Sequence, residues 1–120
     1  MQRWDVVVVG AGPAGATAAL AARRADPGAR VLMLDRSTFP RDKVCGDGIA
    51  PQTFDLLSDL GADGTKAGHA PVPTLSITGP VGAHVRRPTA RPARVVPREI
   101  FDARVVQAAL DAGAEMQRRT

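Results

Sequence analysis

Valine fills positions 6–9 without a polar interruption. A continuous β-branched run of that length predicts a short strand buried on both faces, as in a parallel sheet. Residues 13–25 then turn alanine-rich, with Pro13 where a missing N–H costs nothing in a first helical turn and Pro27-Gly28 placed to stop the helix. A second apolar run, residues 31–34, closes on Asp35. Strand, helix and strand within about 30 residues predict a right-handed βαβ unit whose strands are parallel neighbours. Periodicity vanishes over 36–50, where Pro40, Gly46 and Gly48 punctuate a loop longer than a plain connection needs.

Phe54, Leu57 and Leu60 recur at three-residue spacing, which predicts a helix over 51–60 with Gly61 as its left-handed cap. Residues 74–78 and 81–85 predict a hairpin around Gly79-Pro80. After a proline-spaced segment at 88–97, a last helix over 98–112 is expected to turn Ile100, Phe101, Val105, Ala109 and Leu110 inward and to end at Gly113. The fold class is therefore α/β: a βαβ unit with parallel strands, a short hairpin and a C-terminal helix. Two parallel strands and a hairpin leave apolar surface uncovered, so residues 1–120 are expected to be the N-terminal part of one larger domain.

Composition changes this picture little. With 44% hydrophobic and 23% charged positions and a net charge of only +4, the 120 residues are expected to fold around one modest core. The single cysteine, Cys45, excludes an intrachain disulfide framework, and a reducing cytoplasm is the expected location. Aromatic residues are 3% of the chain, with no tyrosine, so no nucleic-acid partner is expected. The apolar run at 6–22 is broken by Gly10, Gly12, Pro13 and Gly15, which suits neither a signal peptide nor a membrane helix. Residues 64–98 hold Lys66, Arg86, Arg87, Arg91, Arg94 and Arg98 without one acid. A solvated basic surface is the expected reading of that stretch.

Chemistry enters with Gly10-Ala11-Gly12-Pro13-Ala14-Gly15, which directly follows the first strand and opens the first helix. That context is the one a dinucleotide fingerprint requires. Gly10 permits the tight turn, Gly12 lets backbone approach a diphosphate, and Gly15 allows helix and strand to pack closely. Unpaired amides of the first turn and the positive end of the helix dipole then face the phosphates. Asp35 follows Gly15 by about 20 residues, the spacing at which a carboxylate accepts from the hydroxyls of the adenosine ribose and repels a 2′-phosphate. Arg36 beside it reads as a solvated or adenine-flanking side chain. The fingerprint does not separate FAD from NAD.

The next loop does. The run from Asp35 through Arg41-Asp42-Lys43-Val44-Cys45-Gly46-Asp47-Gly48 resembles the signature of the geranylgeranyl reductase family of FAD-dependent oxidoreductases, with Lys43-x-Cys45-Gly46 its more specific element. Similarity resumes at Val96-Pro97-Arg98-Glu99-Ile100-Phe101-Asp102 and at 109–115. The resemblance implies FAD as cofactor, with Gly10, Gly12, Pro13, Ala14 and Gly15 at its diphosphate and Asp35 and Arg36 at its ribose end. It further implies that Arg98 reaches the flavin's linker and that Cys45 and Gly46 lie beside the isoalloxazine. Inert packing and a redox or catalytic role both stay open for Cys45, because Lys43 and Asp47 flank it with opposed charges.

The resemblance also implies reduction of C=C bonds in an isoprenoid substrate by hydride from reduced flavin, with peripheral membrane contact and an electron donor the sequence does not name. A flavin monooxygenase or halogenase of the same fold, and a truncated non-catalytic nucleotide-binding module, are the alternatives. Family members are several-fold longer and carry a substrate domain that these residues lack, so this length alone is expected to be inactive.

Overall fold

The structure, a computed structural model, describes residues 2–120. Strand β1 (Val6–Val9) leads through the glycine turn into helix α1 (Pro13–Ala25), which returns to strand β2 (Val31–Asp35). The two strands pair in parallel, Val6 opposite Val31 and Val9 opposite Leu34, as the spacing of the runs requires. A third parallel strand, β6 (Glu115–Arg118), lies on the other side of β2, giving the order β1-β2-β6. The residues EMQR carry no apolar run, so the sequence marks only an approach to this strand.

Helix α3 (Arg98–Asp111) packs on α1, and both cover one face of the parallel sheet. Ala16, Ala19 and Leu20 meet Val105 and Ala109 there, all fully buried, above Val31 and Met33. Alanines on α1 let the helix axes approach, and the larger side chains fill the space to the sheet. Arg23 fastens the ends of these elements, donating from Nε to the Ala112 carbonyl (2.8 Å) and from Nη1 to that of Ala29 (2.5 Å). Helix α2 (Pro51–Asp59) adds Phe54 and Leu57 to the same core, Phe54 meeting Phe101 edge-to-face with ring centres 6.3 Å apart. Gly61 ends it with φ +82°.

Four expectations are corrected. β1 is covered on one face only: Val9 is 83% exposed and Val7 48%, because β1 is a sheet edge and the helices lie on one side. On α3, Ile100 faces outward and Leu110 is half-buried, whereas Asp102 and Val106 are buried. The hairpin is also longer than expected. Its strands are β4 (Pro71–Thr78) and β5 (His84–Val95), so Val81 sits in the turn and β5 runs through Pro88 and Pro92. Pro88 pairs with Thr74 of β4 on one side only, and Pro92 falls in the bulged stretch between the Thr74–Pro88 and Val72–Ala93 pairs, two places where a missing N–H is tolerated. Only at its end does β5 gain a second partner, the two-residue β3 (Gly48–Ile49), which the sequence read as loop.

The basic stretch is partly paired. Arg91 donates to Asp55 at 2.8 Å, Arg94 to the His69 carbonyl and Arg98 to Asp102, while Arg86 and Arg87 stay exposed on β5. Among the described residues no helix is long and apolar enough to cross a membrane.

Candidate functional site

The glycine turn is shaped by its own backbone. Gly10 adopts φ +95° and donates to the Leu34 carbonyl at 2.7 Å, which folds the turn back onto β2. Gly12 is the N-cap of α1 and has no side chain to cap it, and Pro13 removes one of the first-turn donors. The remaining first-turn amides, those of Ala14 and Gly15 among them, have no intrahelical acceptor and point out of the helix start. Gly15 is glycine for packing: a Cβ there would stand 1.7 Å from the Gly10 carbonyl oxygen.

Asp35 ends β2 at the same rim. Its Oδ2 accepts from the Ala11 amide (2.8 Å) and its Oδ1 from the Ser37 amide (2.7 Å). Partial burial pushes this carboxyl up, but the two amides, joined by the charge of Arg41, outweigh burial and hold it below its ordinary value near 3.8. Each oxygen keeps a free lone pair for a further donor. The sign follows from the direction. A carboxyl that titrates lower in the native chain than in the unfolded one contributes stability above its unfolded pKa, and that stability is lost as pH falls through the native value. Asp35→Asn is therefore expected to lower stability at pH 7 by about 1 kcal/mol, because its NH2 must face one of two amides, and to flatten the acid limb of stability against pH. Urea unfolding from pH 7 to 3 reads both effects.

An open cleft of about 310 Å³ runs along the glycine turn, with Asp35 at its rim and Arg41, Lys43 and Arg98 opposite. A second cleft of about 400 Å³ meets it at Val9, Gly10 and Asp35, and is lined further by Leu34, Arg36 and Arg119. The structure thus gathers Gly10, Gly12, Pro13, Ala14, Gly15, Asp35 and Arg98 into one site and places Arg36 in the adjoining cleft.

Cys45 and Gly46 lie in the exposed loop before β3. The Asp47 amide donates to Cys45 Sγ (3.4 Å), and with the nearby Arg98 guanidinium it pulls the thiol below its ordinary value. No described atom stands within 4 Å of a Cβ built on Gly46, so packing does not demand glycine there.

Asp47 and Asp102 have no role in the sequence reading, and Arg41, like Lys43, is there a loop cation open between a structural and a phosphate-facing role. Arg41 swings over the glycine turn, its Nη2 lying 3.7 Å from where a Gly12 Cβ would be. Asp47, at φ +60°, accepts from the Val96 amide (3.0 Å) and, through Oδ1, from the Arg98 amide (3.3 Å), which ties the loop to the start of α3. Asp102, fully buried, accepts from Arg98 Nε (2.8 Å) and Nη2 (3.0 Å) and from Arg41 Nη1 (2.6 Å). The hydrogen bonds to Asp102 also raise the Arg98 pKa. A sequence signal for Asp102 existed in its four-residue spacing from Arg98 on a helix, although spacing alone does not reveal burial.

Parallel strands, a glycine turn opening a helix, and an acid at the end of the second strand define a Rossmann-type dinucleotide-binding unit. The chain belongs to the FAD-binding domain family, whose description matches residues 3–120. It is 43% identical over 117 residues to the menaquinone reductase of Mycobacterium tuberculosis, a match covering 93% of this chain and 28% of that protein. It is 36% identical over 115 residues to digeranylgeranylglycerophospholipid reductase 1 of Methanopyrus kandleri, covering 95% of this chain and 29% of the relative. Among solved structures, a flavin-dependent brominase superposes with TM-score 0.82 at 28% identity, over 98% of this chain and 29% of that one. The chain thus spans under a third of the length of the relatives it matches.

FAD is the cofactor of this family. The site has the features the cofactor needs: first-turn amides without a capping side chain, a glycine without a Cβ at the point of approach, and cations facing both.

Proposed function

We propose that the chain is the diphosphate- and ribose-binding part of an FAD-dependent reductase that saturates C=C bonds in the prenyl chain of a lipid or quinone. Gly12, Ala14 and Gly15 hold the diphosphate through backbone amides, Asp35 accepts from the ribose hydroxyls, and Arg36 flanks the adenine. Arg98 sits at the linker, with Cys45 and Gly46 in the neighbouring loop. When bound and reduced, FAD supplies the hydride for one alkene carbon, while a proton completes the other. The protein's share is to fix the cofactor and keep its charged middle out of water.

The observation that carries the cofactor assignment is the meeting of the uncapped helix start with Asp35 in one cleft. The substrate class is supported by menaquinone and digeranylgeranylglycerophospholipid, molecules that both carry prenyl chains and name the two relatives quoted above. The Lys43-x-Cys45-Gly46 element favours the same side. The brominase structure favours a second reading, a halogenase, through likeness of shape. Sequence identity ranks it lower, at 28% against 43% for the quinone reductase.

The test is chemical. Full-length protein with FAD, dithionite and menaquinone is expected to return quinone whose prenyl chain has gained a pair of hydrogens by mass spectrometry. An unchanged prenyl chain, with a halide-dependent product from a pyrrole or phenol, would overturn the reading in favour of the halogenase.

A further inference from the structure

We propose that Asp102 is a positioning residue that aims Arg41 and Arg98 together at the cofactor diphosphate, so that two guanidiniums form the second jaw of a clamp whose first jaw is the glycine turn. The inference rests on the FAD-binding reading above and adds residues to it. Arg98 and Asp102 share one face of α3, one turn apart, whereas Arg41 arrives from the loop after β2. All three meet because the Asp102 carboxylate, with no exposed surface, takes hydrogen bonds from both arginines at 2.6–3.0 Å.

A buried carboxylate is costly to desolvate and persists only when its oxygens are filled. Here they are filled by two cations rather than one, so the cluster carries an excess positive charge. The excess has a direction. Arg98 spends Nε and Nη2 on Asp102 and has the Cys45 thiol beside the rest of its guanidinium, a neutral partner that a phosphate oxygen can displace, while Arg41 spends Nη1 and keeps Nη2 beside Gly12. Both side chains are 18% exposed, and both line the cleft of the glycine turn. Without the carboxylate, two like charges would repel, and two long side chains would regain rotamer freedom that binding must then remove. A guanidinium held in place presents a planar fork suited to phosphate oxygens.

The proposal makes a prediction that charge counting reverses. Asp102→Asn removes a negative charge beside a diphosphate site, which by Coulomb's law should tighten binding of an anion. Positioning predicts the opposite. By titration calorimetry on the protein, with ADP and adenosine as probes, Asp102→Asn is expected to weaken ADP about tenfold or more while adenosine changes little, since the lost contacts are charge-assisted bonds to phosphate. Arg41→Gln is expected to do the same, and the double variant to lose no more than either single one, as for residues that act as a unit.

Tighter or unchanged ADP binding by Asp102→Asn overturns the proposal. So does an equal loss of ADP and adenosine, which would give Asp102 a purely structural role. If Asp102→Asn does not fold, Arg41→Lys decides. It keeps the charge but lacks the fork, so it is expected to weaken ADP about fivefold relative to adenosine, and unchanged affinity overturns the idea. Failure of the unsubstituted protein to bind ADP or FAD would overturn the cofactor reading itself and this inference with it, an outcome distinct from failure of the variants alone.

Discussion

Gly15→Ala is expected to unfold much of the parallel layer, lowering stability by about 3 kcal/mol or more. The physical reason lies in backbone rather than in ligand. The added Cβ would stand 1.7 Å from the Gly10 carbonyl oxygen, 2.9 Å from its carbon and 3.2 Å from Val8 Cγ1. A flexible side chain can yield to such an intruder, but the Gly10 carbonyl belongs to a turn fixed by the 2.7 Å bond from the Gly10 amide to Leu34. Relief requires α1 to move off β1, and α1 carries Ala16, Ala19 and Leu20 of the core. Chemical denaturation with and without FAD measures the effect, and the loss should be present in both.

Gly12→Ala is expected to show the reverse pattern. Gly12 has φ −66° and ψ −174°, which any residue can adopt, and a Cβ there would meet only Arg41 Nη2, at the ordinary contact distance of 3.7 Å. Stability should change by less than about 1 kcal/mol, the scale of exchanging an N-cap glycine for alanine. FAD affinity should fall about tenfold or more, because the methyl group occupies the path by which phosphate oxygens reach the first-turn amides and costs at least one charge-assisted bond. Fluorescence titration with FAD separates the two glycines: one variant loses its fold, the other its ligand. Equal stability losses would mean that Gly12 serves packing as Gly15 does.

The site was legible in the sequence where it is local. Valine run, glycine turn, alanine-rich helix and the acid after the second apolar run lie within 35 residues, and each is dictated by its immediate neighbours. The parallel pairing of Val6–Val9 with Val31–Asp35 and the span of α1 at Pro13–Ala25 follow from that locality. What the sequence concealed depends on distant contacts. Asp102 looks like a solvated helix residue until Arg41, far away in the chain, is seen to share it. Pro88 and Pro92 look like strand breakers until Pro88 is seen to face β4 alone and Pro92 to fall in a bulge of the β4–β5 pairing. β6 is marked in the sequence only as an approach to a further strand, because EMQR lies at a sheet edge where only Met116 and Gln117 are half-buried. On α3 the apolar stripe was displaced, since Ile100 in the first turn lies outside the contact with α1 whereas Val106 falls inside the core.

The position of the cofactor bears most directly on the whole account, and a structure of the protein with FAD measures it. The diphosphate is expected within about 3 Å of the amides of Gly12, Ala14 and Gly15, with the ribose hydroxyls on Asp35 and guanidinium nitrogens of Arg41 and Arg98 against the phosphate oxygens. A diphosphate bound elsewhere, with those amides facing solvent and Asp35 holding only Ala11 and Ser37, would contradict it.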